Sequence, residues 1–139
     1  MRLSFRRPFD NERPRKRALR ELYKVVLRRE GPHARGLRLL RSWLSPEQRR
    51  QFSEGNYFDV VGCHTGKRYR IHYGVTTNVV ELDWDGRPMA GRCFLPAGHL
   101  VAGDVMLAQK IALETDENGA RAVARPFTLP VDFRRLVGR

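Results

Sequence analysis

The run Gly103-Asp104-Val105-Met106-Leu107-Ala108-Gln109-Lys110-Ile111-Ala112-Leu113-Glu114 constrains the fold most, because it is apolar around most of a helical circumference. Only Gln109, Lys110 and Glu114 form a polar stripe, so a helix here must be covered on nearly all sides. Asp104 is the expected N-cap, with Gly103 allowing a sharp entry. Four strand-like runs precede this segment, and an antiparallel sheet with the helix laid across one face buries both.

The runs alternate as half-buried strands do. Phe58 and Val60 flank Asp59; Tyr69, Ile71 and Tyr73 share one face of the next run while Arg68, Arg70 and His72 share the other. In the third run Val80, Leu82 and Trp84 are read as inward and Glu81 and Asp83 as outward, where the two acids would neutralise the Arg68, Arg70, His72 stripe. Asp85-Gly86 marks a two-residue hairpin, which places Val80 beside Gly91 and Leu82 beside Met89 and sends Met89, Cys93 and Leu95 inward. Pro88 marks the fourth strand as an edge.

Ahead of the sheet lie three helical runs. Arg15 to Glu30 spaces Leu19, Leu22, Tyr23, Val26 and Leu27 along one face opposite Arg17, Arg20, Lys24 and Arg28, and Gly31-Pro32 stops it. Ala34 to Leu44 carries Leu37, Leu40, Trp43 and Leu44 against Arg35, Arg38 and Arg41. Ser45-Pro46-Glu47-Gln48 has the form of a capping box with Pro at the first helical position, opening a short helix that ends by Gly55.

The fold class read from this pattern is α+β: Arg-rich N-terminal helices, a four-stranded antiparallel meander and one covering helix. Residues 1–13 form a basic arm and 14–139 a single domain, divided into a helical layer (14–55), the sheet (56–96), the covering helix (103–117) and a C-terminal tail (126–139). The tail alternates Phe127, Leu129, Val131, Phe133 and Leu136 and is expected to pack on the sheet or on a partner.

Charge then separates the two halves. The chain carries +12 overall. Residues 1–50 hold 16 basic and 5 acidic side chains, a net +11, which leaves +1 for the rest. Polyanions are the natural partners of such a half, since each phosphate contact releases condensed counterions. The expected function is a small, non-enzymatic nucleic-acid-binding protein that contacts phosphate through Arg6, Arg7, Arg13, Arg15, Lys16, Arg17, Arg20, Lys24 and Arg28, with Arg49 and Arg50 on the third helix. A winged-helix arrangement, with Gln48, Arg49, Arg50 and Gln51 entering a groove, is weighed against a plain helical layer beside the sheet; the third helix is short and the meander exceeds a wing. The alternative function is a protein-interaction subunit docking on an acidic or ribonucleoprotein surface. A third is a metal-dependent hydrolase.

No constellation supports the third class. Gly62-Cys63-His64-Thr65-Gly66-Lys67-Arg68 has three residues between its glycines and leads into a strand, unlike a nucleotide-binding phosphate loop. Cys63-His64 are adjacent and are expected to point apart. Asp59, Glu81 and Asp83 lack the Lys of a nuclease motif, and Glu114, Asp116 and Glu117 read as a solvated helix end. Cys63, His64, His72, Cys93 and His99 lack the short spacing of zinc ligands, so no metal and no cofactor are expected. Two unpaired cysteines and the absence of an apolar leader fit cytoplasmic residence without a membrane partner.

The blocks Phe58-Asp59-Val60-Val61-Gly62, Thr65 to Ile71, Asn78-Val79, Cys93-Phe94-Leu95-Pro96 and Gly103 to Glu114 resemble a group of bacterial proteins of unknown function, over a little under half the chain. In order of elements the sheet is similar to SWIM-type zinc modules, implicated in nucleic-acid and protein binding. That family's Cys-x-Cys and Cys-x-His pairs are reduced here to Cys93 with His99 nearby, so the similarity implies an architecture and carries over no ligand.

Overall fold

Five antiparallel strands form one sheet in sequential order, β1 (Tyr57–Val61), β2 (Arg68–His72), β3 (Val79–Leu82), β4 (Pro88–Cys93) and β5 (Arg125–Phe127). They belong to a computed structural model that describes residues 12–29, 31–94 and 100–129, without the side chains of 12, 13 and 23–29. Helices α1 (Glu12–Arg29), α2 (Pro32–Trp43) and α3 (Pro46–Gly55) precede the sheet. Helices α4 (Ala102–Thr115) and α5 (Glu117–Val123) connect β4 to β5. The class is α+β, with five strands where four were expected. α1 begins at Glu12, inside the stretch read as an arm, and Pro14 falls within its first turn.

The main core fills the space between the helices and one sheet face. Leu40 and Leu44 come from α2 and its C-terminal flank, and Phe52 from α3; Phe58, Val60, Tyr69, Ile71 and Val79 come from the sheet, and Met106, Leu107 and Leu113 from α4. The expected capping box holds α3 in place: Ser45 Oγ accepts from the Gln48 amide at 3.2 Å, and Gln48 Oε1 accepts from the Ser45 amide at 3.0 Å. Gln48 Nε2 then donates to the Asp59 carbonyl at 2.9 Å, tying the helix start to β1.

Helix α4 begins one residue before Gly103, with Val101 as N-cap and Asp104 in the first turn. The reason for Gly103 is a close helix crossing: a Cβ there would meet the backbone of Gly36 on α2 at 2.2 Å. The polar stripe of α4 also points inward. Gln109 and Asn78 exchange two amide hydrogen bonds at 2.8 and 2.9 Å, and buried Lys110 donates to Glu114 at 2.7 Å, while Ala108 and Ile111 face outward. Lodged between α2 and the sheet, this helix leaves only a narrow strip for solvent, and its polar groups satisfy one another.

The largest departure concerns β3. Its register pairs Tyr69 with Glu81 and Arg70 with Val80, so Glu81 shares the helix-covered face and Val80 and Leu82 take the opposite one. All four residues of β3 are buried, because Phe127 and Leu129 close over Val80 and Leu82. The C-terminal stretch therefore supplies a fifth strand and a lid through residue 129. Paired on its far side by β5, β4 is not an edge.

The hairpin closes differently as well. The Gly86 amide donates to the Asp83 carbonyl, Asp83 and Arg87 pair, and Gly86 alone in the turn has a positive φ (+80°). This is a three-residue loop with a left-handed Gly. A register shift between Glu81 and Leu82 opposes Leu82 to Pro88, so Met89 bulges out and Trp84 lies on the turn in solvent.

Candidate nucleic-acid interface

Helix α1 is 18 residues and about 27 Å long, and Arg17 and Arg20, three positions apart, lie on one of its faces. Arg15, Lys16, Arg17 and Arg20 are exposed. Arg35 and Arg41 are exposed on α2, the latter with its guanidinium 5.5 Å from the Phe52 ring centroid. Arg6 and Arg7 lie outside the described residues, as do the side chains of Arg13, Lys24 and Arg28.

Arg49 and Arg50 are exposed on α3 but engaged. Arg49 Nε donates to the carbonyls of Arg41 and Leu44, both at 3.1 Å. Arg50 sits between Glu47 and Glu54, and the hydrogen bond and charge of Glu47 hold its guanidinium above the usual range. A phosphate would have to compete with those carboxylates, whereas Arg15, Arg17, Arg20 and Arg35 make no ion pair among the described residues.

Several cations of the body are spent internally. Arg70 grips Asp59 on β1 through two hydrogen bonds of 2.8 and 3.1 Å and stacks over Tyr57 at 4.1 Å, so Asp59 does the neutralising that was expected of Glu81 and Asp83. Buried Glu81 instead receives Lys67 at 2.8 Å, Arg121 at 3.1 Å and Arg92 at 3.5 Å. Burial pushes its carboxyl up, but Lys67 and Arg121 outweigh burial and hold it below the usual range. Asp83 accepts from the amides of Asp85 and Arg87 through one oxygen.

The loop after β1 resolves the comparison with a phosphate loop. Its amides do cradle an anion, and the anion is the chain's own Glu117. The fully buried carboxylate accepts from the His64 amide (3.0 Å), the Thr65 amide (2.7 Å), Thr65 Oγ1 (2.5 Å) and the Tyr69 hydroxyl (2.6 Å). A Cβ at position 62 would lie 2.2 Å from this carboxylate, which explains Gly62. Burial pushes Glu117 up, yet these four donors bring it down to about 2. Arg121 donates to the Tyr69 oxygen at 2.7 Å and links Glu117 to Glu81. Burial and the bond to Glu117 push the Tyr69 phenol up to about 12. Read from sequence as a solvated helix end, Glu117 is the centre of a buried network.

Cys63 and His64 do not point apart, because they occupy a turn: Sγ and Nδ1 lie 3.5 Å from one another. Both atoms are committed to the start of α5, Sγ accepting from the Glu117 amide at 3.4 Å and Nδ1 from the Asn118 amide at 3.1 Å. Cys93 is buried against Thr76 Oγ1 at 3.2 Å, and His99 lies outside the described residues. Among the described residues no three His, Cys, Asp or Glu side chains gather as a metal site, and no helix is long and apolar enough to cross a membrane.

Sequence reading also missed Trp84, expected inward and 89% exposed, whose only advance signal was its place one residue before Asp85-Gly86. It borders a cleft of about 460 Å³ on the sheet face opposite the main core, with Val61, Lys67, Arg68, Leu82 and Met89. Comparison with protein-family models, with curated proteins and with solved structures finds no match for this chain.

Proposed function

We propose that this chain is a small, non-enzymatic nucleic-acid-binding protein that contacts phosphate through its Arg-rich N-terminal helices. The observation that carries the reading is the clustering of exposed, unpaired arginines on α1 and α2, with few such residues on the body. Arg70, Arg92, Arg121 and Lys67 each meet a carboxylate within the body, whereas Arg15, Arg17, Arg20 and Arg35 stand exposed without one among the described residues. A surface that served only solubility would mix both signs. Phosphate contact of this kind is independent of sequence and rests on charge density along the helix. Arg49 and Arg50 are secondary contributors, because their donors already have acceptors.

A second reading, a subunit docking its basic helices on an acidic or ribonucleoprotein surface, draws on Leu19 and Leu22. These are 63% and 60% exposed on α1, so the body leaves both leucines uncovered. Nuclease treatment separates the two. The chain is purified under low salt with the material it captures and passed over a sizing column before and after digestion. Phosphate binding predicts a large species that collapses to free protein on digestion; a stoichiometric protein complex that survives digestion overturns it in favour of the second reading.

A further inference from the structure

We infer that the cleft beside Trp84 takes one unstacked base of a single-stranded nucleic acid. The proposal rests on the phosphate-binding reading above and adds a site on the sheet face away from the main core.

Three strands build the site. Val61 and Leu82 flank Arg68 in register, on the sheet face away from the helices, and Met89 is thrown outward by the register shift in the β3–β4 pair. The turn sets the indole of Trp84 at the rim, nearly bare, with Met89 61% and Val61 56% exposed beside it. A folded chain gains by covering such side chains, and a flat aromatic next to a thioether and a branched aliphatic offers a platform for another flat apolar ring. At about 460 Å³ the cleft falls within the range of small-ligand sites.

Charge selects among flat ligands. The acids at the rim are engaged, Glu81 by Lys67, Arg92 and Arg121, and Asp83 by two turn amides. Arg68 makes no ion pair among the described residues; its guanidinium lies over the turn, 3.3 Å from where a Cβ on Gly86 would stand. A cation beside an indole fits a ring that carries an anion, as every nucleotide does. Stacking on an aromatic requires a free base face, which a duplex does not offer.

The test uses the full chain, a labelled oligothymidylate and a labelled mixed-sequence duplex of equal length, read by anisotropy. Loss of one base–aromatic stack corresponds to about 5- to 150-fold in affinity. Trp84→Ala is expected to weaken oligothymidylate binding by that factor and leave duplex binding unchanged; Trp84→Phe restores most of it, and Arg68→Ala weakens the single strand. In a Trp43→Phe background, acrylamide quenches the remaining indole in free protein, and oligothymidylate both dims and shields it. Unchanged single-strand affinity in Trp84→Ala overturns the site while leaving the phosphate reading intact. So does an indole already shielded in the free chain. A parent protein that binds neither probe overturns the phosphate reading and the site with it.

Discussion

Replacing Glu117 by Gln should be the most damaging isosteric change in the body of the protein. The carboxylate has no solvent contact and four donors within 3.0 Å. A carboxyl held at about 2 instead of 4.5 contributes about 3 kcal/mol to folding at neutral pH. Gln keeps the shape, but its amide nitrogen must face either two backbone amides or two hydroxyls, and one of those hydroxyls already accepts from Arg121. The expected loss is about 2–4 kcal/mol, which lowers the urea midpoint by about 1–3 M. Because the folded pKa is depressed, the contribution is complete above about pH 5, declines as pH falls through 4.5, and is gone below about 2. The gap between parent and variant should therefore narrow steadily when the urea titration is repeated toward pH 2.5. A variant within 0.5 kcal/mol of the parent at pH 7, or a gap that ignores pH, would refute the argument that this anion organises the loop.

Three further outcomes follow from the same geometry. Gly103→Ala pushes a methyl into the Gly36 backbone and should cost about 1–3 kcal/mol in urea unfolding; a neutral result would mean the α2–α4 crossing is not tight. Ser45→Ala removes one half of the capping box and should cost about 1 kcal/mol, with Thr at the same position recovering most of it. In ultraviolet difference titration, Tyr69 should ionise only near pH 12, held back by burial and by Glu117, and Tyr69→Phe should remove that late step from the curve.

Local signals in this chain were legible where local chemistry decides the structure. Ser45 to Gln48 capped a helix as written, Gly31-Pro32 separated two helices, and Asp85-Gly86 marked a hairpin. Faces were misread where coverage comes from far along the chain. Alternation assigns a strand one wet side, but β3 is covered twice, by α4 and its neighbours on one face and by Phe127 and Leu129 on the other. Glu81 reads as solvent-facing until Arg121, 40 residues later, is placed against it. The burial of Gln109 on α4 has the same origin, since it depends on Asn78, 31 residues earlier. β5 escaped because three residues with a central proline carry almost no strand signal. For the candidate interface, charge segregation was visible in composition; which arginines are already engaged was not, because Arg49 and Arg50 find their acceptors only in the folded helices.

The central claim is tested most directly by the salt dependence of binding. Because Leu40 and Leu44 belong to the main core, the basic layer cannot be removed as a block, and the comparison is between the full chain and its Arg15→Gln, Arg17→Gln, Arg20→Gln variant. Anisotropy of a labelled duplex is titrated from low to high salt, and log affinity is plotted against log salt. Phosphate contact by α1 predicts a steep negative slope for the parent, reduced in the triple variant by about 2–3, close to 0.9 for each phosphate no longer neutralised. Identical slopes for the two proteins, or binding indifferent to salt, would contradict it.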